Sequence, residues 1–273
     1  MYPNGDLQPL NGESILNELL YEQCGTIGFV TLNRPERRNA LTFEMYEKLA
    51  EICRNIKLGG VVKCIVITGA GDMAFAAGTD MTQFRVFSTA QDALAYEERI
   101  GRVIQAIELC SIPTIAAITG ACTGGGAAIA AACDIRVCDT RLKFGFPIAR
   151  TLGNCLSISS LNCMTSLIGA GRLREILLTA RLIQAEEAKA IGLVSEVLES
   201  ASAVRARAME LAGIMNDHAP LTLRACKEGL RRLRVDGPNA DGSDLIVDCY
   251  MSEDFKEGLE AFLDKRKPLW KGK

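Results

Sequence analysis

Apolar positions change their period several times along the chain, and each change marks an expected element. Residues 15–23 and 26–33 alternate as two strands joined by a turn at Cys24-Gly25, after a loose arm that ends near Glu13. Pro35 ends the second strand. Thr42 then caps a helix with Glu44 in its first turn, and Met45, Leu49, Ile52 and Ile56 share one face. Gly59-Gly60 stops that helix, and residues 61–68 form a short, almost wholly apolar run of the kind buried on both faces of a sheet. Residues 70–84 read as a loop that delivers Asp80 to a short helix, and residues 89–109 as a long amphipathic helix along Leu94, Ile100, Val103, Ile104 and Ile107.

Residues 111–139 are the centre of the pattern. A β-branched run after Pro113 gives way to Gly124-Gly125-Gly126, then to small residues in a buried helix, then to a strand from Asp134. No charge falls between Glu108 and Asp134, but proline, glycines and strand periodicity argue against a membrane span. The glycine spacing does not fit a dinucleotide fingerprint. What it does provide is bare backbone at a helix start, where free N–H groups and the helix dipole favour a developing negative charge. A short strand at 142–146, helices at 157–169, 172–180 and 185–191, and a strand at 193–197 follow. From about Ser200 the character changes to four strand-free helices, at 203–216, 221–233, 242–251 and 253–266. The division expected is an α/β core over residues 1–199 and a helical region over 200–273, suited to an oligomer contact.

Composition narrows the chemistry. The 273 residues carry a net charge of −2, so nothing in the total attracts nucleic acid or an anionic membrane. Eleven cysteines sit mostly in apolar runs without metal-type spacing, and no secretory signal opens the sequence, which predicts reduced thiols in the cytoplasm. A single histidine, His218, excludes a multi-histidine metal site, and no metal is expected.

Two loops share one chemistry. Ala76-Ala77-Gly78-Thr79-Asp80 and Gly124-Gly125-Gly126 each follow an apolar strand and each offer backbone N–H groups at a glycine-permitted turn. Two such donors on one oxygen stabilise an enolate or tetrahedral oxyanion without a side chain. With IGFVTLNRPERRNAL, AFAAGTD, TGACTGGGAAIAAACDIRV, AEEAKAIGLVSEV and AFLDKRKP in order, the chain resembles the crotonase superfamily, the enoyl-CoA hydratase/isomerase family, over essentially its whole length. The resemblance implies a spiral of ββα units with a C-terminal helical oligomerisation region, assembled as trimers or hexamers. It implies coenzyme A as part of the substrate and no permanently bound cofactor. It places Thr79 and Gly125 at the oxyanion hole, and Arg37, Arg38, Ala40, Ala77, Asp80, Met81 and Gly124 along the CoA and acyl path. Phe262 and Lys265 match tail residues that reach CoA, often across a subunit contact.

The sequence departs from that family where the chemistry is decided. The two glutamates that serve hydratases as acid and base match Ala128 and Ile148, and neither side chain can carry a proton. Ordinary hydration is therefore not expected, nor isomerisation by the second glutamate. The segment after Pro147 offers Arg150, Asn154, Cys155 and Ser157 as polar candidates, each with an ordinary reading as loop or helix cap. Asp80 reads mainly as a cap, Glu97 and Glu98 as a solvated helix face, and Cys122 as a thiol without a base to activate it. Arg224, Lys227, Arg231, Arg232 and Arg234 read as one side of an amphipathic helix rather than an RNA site. An enzyme acting on acyl-CoA and a catalytically inactive acyl-CoA-binding or assembly protein both fit these residues.

Overall fold

The computed structural model describes residues 18–273. The expected N-terminal arm and the first residues of the first expected strand lie outside the described residues. The hairpin of β1 (Leu19–Cys24) and β2 (Ile27–Leu32) leads to α1 (Phe43–Asn55), β3 (Cys64–Gly69), β4 (Ala74–Ala76) and α2 (Ala90–Glu108). The central segment forms β5 (Thr114–Ile118), β6 (Ala121–Thr123), α3 (Gly125–Ala132), β7 (Ile135–Asp139) and β8 (Lys143–Gly145). Then come α4 (Ile148–Thr151), α5 (Ile158–Ile168), α6 (Ala170–Thr179), β9 (Ile183–Gln184), α7 (Ala185–Ala190) and β10 (Glu196–Leu198). The tail is α8 (Ala201–Asn216), α9 (Pro220–Asp236), α10 (Ser243–Tyr250) and α11 (Glu253–Leu263).

Two sheets result. One runs β1-β2-β3-β5-β7-β10 and is parallel apart from the β1–β2 hairpin; the other runs β4-β6-β8-β9 with only its last pair antiparallel. The pairs β3/β4, β5/β6 and β7/β8 each place one strand in either sheet, and this repeat makes the spiral. Each turn between sheets is tight. At Gly120, with φ +59°, a Cβ would collide with the carbonyl of Met73, so the corner admits no side chain.

The main core lies under the helices and between the sheets, with Tyr46, Phe75, Phe144, Ile107 and Ile129 among its buried residues. A second cluster covers the other face of the large sheet, where Val204, Ala208 and Ala212 of α8 pack on Val66, Ile115 and Val137. The strand-free tail thus begins with a helix that closes the core.

Three expectations shift. The run at 61–68 becomes a strand only from Cys64, because Val61, 67% exposed, belongs to the glycine turn before it. Leu193 and Val194 are buried from the turn after α7, both amides bonding to Ala188 O, so the strand expected at 193–197 is β10 instead. The second sheet is foreshadowed in the sequence only at β8. Its other strands are two or three residues long, too short for an alternation to register.

Candidate active site

The site is assembled from the segment before α1, the loop after β4 and the start of α3. Asn39, fully buried at φ +55°, donates from Nδ2 to Ala70 O and Ala74 O and accepts from the amide of Arg34 at 3.0 Å. The chain on either side then stitches to the 76–80 loop: the Ala77 amide bonds to Arg38 O, Leu41 to Gly78 O, and Asp80 to Leu41 O. These bonds fix the loop on both flanks of Thr79 while its own amide, among the described residues, donates to no protein acceptor.

Gly124 stands before α3 at φ +52° and ψ −120°, and Gly125 is the first helical residue, whose amide has no carbonyl a turn behind it. The two loops touch. A Cβ on Gly124 would lie 3.4 Å from Gly78 Cα, one on Gly78 3.6 Å from Thr123 O, and one on Gly125 3.2 Å from Thr79 Oγ1. A Cβ on Gly125 would also collide with Tyr46 Oη.

Tyr46 introduces groups that sequence reading missed. Its Oη lies 2.9 Å from Thr79 Oγ1, which lies 3.1 Å from Tyr96 Oη. Burial pushes both phenols above their ordinary range, most strongly Tyr46, where the Tyr96 phenol also adds; the Thr79 bond opposes and Glu97 adds in both. Phe43, Phe84 and Phe87 surround the Tyr96 ring at centroid distances of 5.6, 4.7 and 5.9 Å. The spacing Tyr46, Leu49, Ala50, Cys53 on the buried face of α1 was the available signal, and it marks a core position rather than a polar one.

Glu97 and Glu98 part company. Glu98 is exposed and pairs with Arg102 at 2.7 Å, as a solvated face should. Glu97 is half-buried, lies one and two turns from Ile100 and Ile104 on the inward face, and burial raises its carboxyl above the ordinary range.

The other candidates divide by place. Asp80 caps the turn Met81–Val86 through the Thr82 amide and pairs with Arg34 Nη1 at 2.9 Å; its carboxyl is held low by the Thr82 hydroxyl and amide first, with Arg34 adding. Arg37, Arg38, Ala77 and Met81 are exposed, and Ala40 half-buried, on the strip joined by the Ala77–Arg38 and Leu41–Gly78 bonds. Ala128 lies on α3 and is half-buried against the core, and Ile148 opens α4. Arg150, Asn154 and Cys155 are exposed, while Ser157 caps α5 by accepting from the Ser160 amide. Phe262, 81% exposed, and Lys265 sit at the end of α11, which packs on α10. Burial drives the Cys122 thiol well up, the wrong direction for a nucleophile. The five tail cations each meet a carboxylate: Arg224 with Asp248, Lys227 with Asp134, Arg231 and Arg232 with Glu228, and Arg234 with Glu108. Among the described residues no cluster of histidine, cysteine or carboxylate could hold a metal, and no helix is long and apolar enough to cross a membrane.

The enoyl-CoA hydratase/isomerase family matches residues 22–273. The chain is 31% identical over 255 residues to the short-chain-enoyl-CoA hydratase of Clostridium acetobutylicum, covering 92% of this chain and 97% of that one. It is 34% identical over 255 residues to the (E)-benzylidenesuccinyl-CoA hydratase of Thauera aromatica, covering 92% and 98%. Among solved structures, an enoyl-CoA hydratase/carnithine racemase from Magnetospirillum magneticum superposes with a TM-score of 0.85 at 33% identity, over 95% of this chain and 97% of that one. By sequence along nearly its whole length, and by a spiral of paired strands that the solved relatives share, this chain belongs to the enoyl-CoA hydratase/isomerase family of the crotonase superfamily.

Proposed function

We propose that the protein is an acyl-CoA enzyme that holds a thioester oxygen between the amides of Thr79 and Gly125 and stabilises an enolate or oxyanion there. The observation that carries this reading is the contact of two loops whose amides at those residues have no acceptor among the described residues. The α3 dipole adds to both donors. One donor of this kind contributes about 3–4 kcal/mol to the transition state. Arg37, Arg38, Ala40, Ala77, Asp80, Met81 and Gly124 would line the CoA and acyl path, with coenzyme A arriving as part of the substrate and no cofactor resident.

Several relatives are named hydratases, but Ala128 and Ile148 offer no acid or base, so the reaction we assign is not two-glutamate hydration. Isomerase, hydrolase, dehalogenase-like and decarboxylase-like reactions share the stabilised state and need different proton carriers. Those same two residues favour one other reading, an acyl-CoA-binding or assembly protein without turnover. Incubation with a panel of acyl- and enoyl-CoA esters separates the two, since product from any ester supports the enzyme and saturable binding without product supports the binding protein.

We also propose a homotrimer or hexamer. Ile246, Val247, Tyr250, Met251, Leu259, Phe262 and Leu263 are exposed along α10 and α11, and a run of exposed apolar side chains marks a contact surface. Phe262 and Lys265 would then reach CoA on a neighbouring subunit. Eleven free thiols fit a reducing cytoplasm.

A further inference from the structure

Three hydroxyls meet beside the Thr79 amide, with more protons than bonds between them. Tyr46, Thr79 and Tyr96 carry one O–H each, and two hydrogen bonds join them. One proton is therefore left over. It does not belong to Tyr46, which is fully buried and whose phenol has Thr79 Oγ1 as its one hydrogen-bond partner among the described residues. A buried phenol that accepted from Thr79 would strand its own proton, at a cost of roughly 1–3 kcal/mol. Tyr46 consequently donates to Thr79. A hydroxyl that accepts on one side and donates on the other strengthens both bonds, so Thr79 in turn donates to Tyr96. The chain runs Tyr46 to Thr79 to Tyr96, and the free proton is on the Tyr96 phenol.

That phenol is well held. Its ring packs edge-on against Phe84 and Phe87 and tilted against Phe43, and its helix starts in a full capping box between Thr89 and Asp92. Its oxygen lies 3.1 Å from the hydroxyl of Thr79, the residue whose amide is the first donor of the proposed site. Tyr46 Oη, at the other end, covers Gly125, the second amide donor. The hydroxyl chain thus spans the two loops.

We propose that Tyr96 is a catalytic residue of this site and gives the thioester carbonyl oxygen a third hydrogen bond beside the Thr79 and Gly125 amides. This rests on the acyl-CoA reading above and deepens it. The third donor adds to the stabilisation of charge on that oxygen, and it acts by a hydrogen bond alone.

The test uses the full chain and para-dimethylaminocinnamoyl-CoA, whose absorption moves to longer wavelength as its carbonyl is polarised. Wild type, Tyr96→Phe, Tyr46→Phe and Thr79→Val are compared, with thermal melts to establish folding. Wild type should bind the probe and shift its absorption. Tyr96→Phe should keep its fold, lose much of the shift and bind roughly tenfold more weakly, as loss of one hydrogen bond to a developing charge implies. Tyr46→Phe leaves Thr79 donating to Tyr96 and should retain most of the shift. Should Tyr96→Phe not fold, Thr79→Val decides the matter: it removes the middle hydroxyl but leaves Tyr96 its proton, and should keep part of the shift. A wild-type shift in Tyr96→Phe overturns this inference and leaves the acyl-CoA reading standing, as does an undiminished shift in Thr79→Val, where both amides remain. A wild-type protein that neither binds nor shifts the probe overturns both.

Discussion

Tyr46 Oη lies where any side chain on Gly125 would have to go. Gly125→Ala must therefore displace a buried phenol or the start of α3, and overpacking of this kind costs about 1–3 kcal/mol. Chemical denaturation should show that loss, and Tyr46→Phe in the same chain should recover part of it, since the next ring atom is 3.0 Å from the new Cβ. Full stability in the single mutant would mean the phenol is not seated there. Glu97 makes a second residue-scale case. Burial raises its carboxyl, so its protonated form suits the fold: that contribution is complete below the usual value of 4.5 and is lost as pH rises through the folded value. Glu97→Gln should accordingly melt higher than wild type at pH ~7.5 and no higher near pH ~4. A lower melting temperature at neutral pH would reveal a stabilising partner for the carboxylate. The sequence favours a solvated face for Glu97 and Glu98 while leaving room for one of them to turn inward, and the structure turns Glu97 inward. Only the helix phase relative to Ile100 and Ile104 separates them, and that phase depends on which face the sheets cover.

At the scale of elements, the join between the 34–41 segment and the β4 loop depends on Asn39. Its fully buried side chain satisfies two carbonyls and one amide, so Asn39→Ala should cost roughly 3 kcal/mol. The same substitution should weaken acyl-CoA binding, because the Thr79 loop hangs on these bonds; a purely local effect would leave binding unchanged in the folded fraction. The long elements were legible. Thr42 and Thr89 mark helix starts in the sequence, and both accept the expected backbone amide, from Met45 and Asp92. The helical tail after Ser200 was equally plain from its 3.6-residue period. What sequence could not supply was β4, β6 and β9, whose few residues pair across the spiral with strands distant in the chain. Tyr46 and Tyr96 escaped for a related reason. Nothing in sequence brings two aromatic positions on separate helices to one threonine, whereas glycine runs announce themselves.

For the whole molecule, one described chain presents a closed α/β body and an apolar outer face on α10 and α11. Phe262→Glu should lower the assembly state in analytical ultracentrifugation and weaken acyl-CoA binding together, if the tail serves both the interface and a neighbouring site. A wild-type chain that sediments as a monomer at micromolar concentration would contradict the assembly. The two glycine loops lie against each other, while the positions expected to carry protons hold methyl and branched alkyl groups. Crotonyl-CoA brings both facts into one experiment, with binding followed by calorimetry and the enoyl absorbance followed in the same solution. Saturable binding without loss of that absorbance is the predicted result. Hydration at rates on the order of 10 per second or faster, ordinary for an enzyme on its own substrate, or no binding at all, would contradict the account.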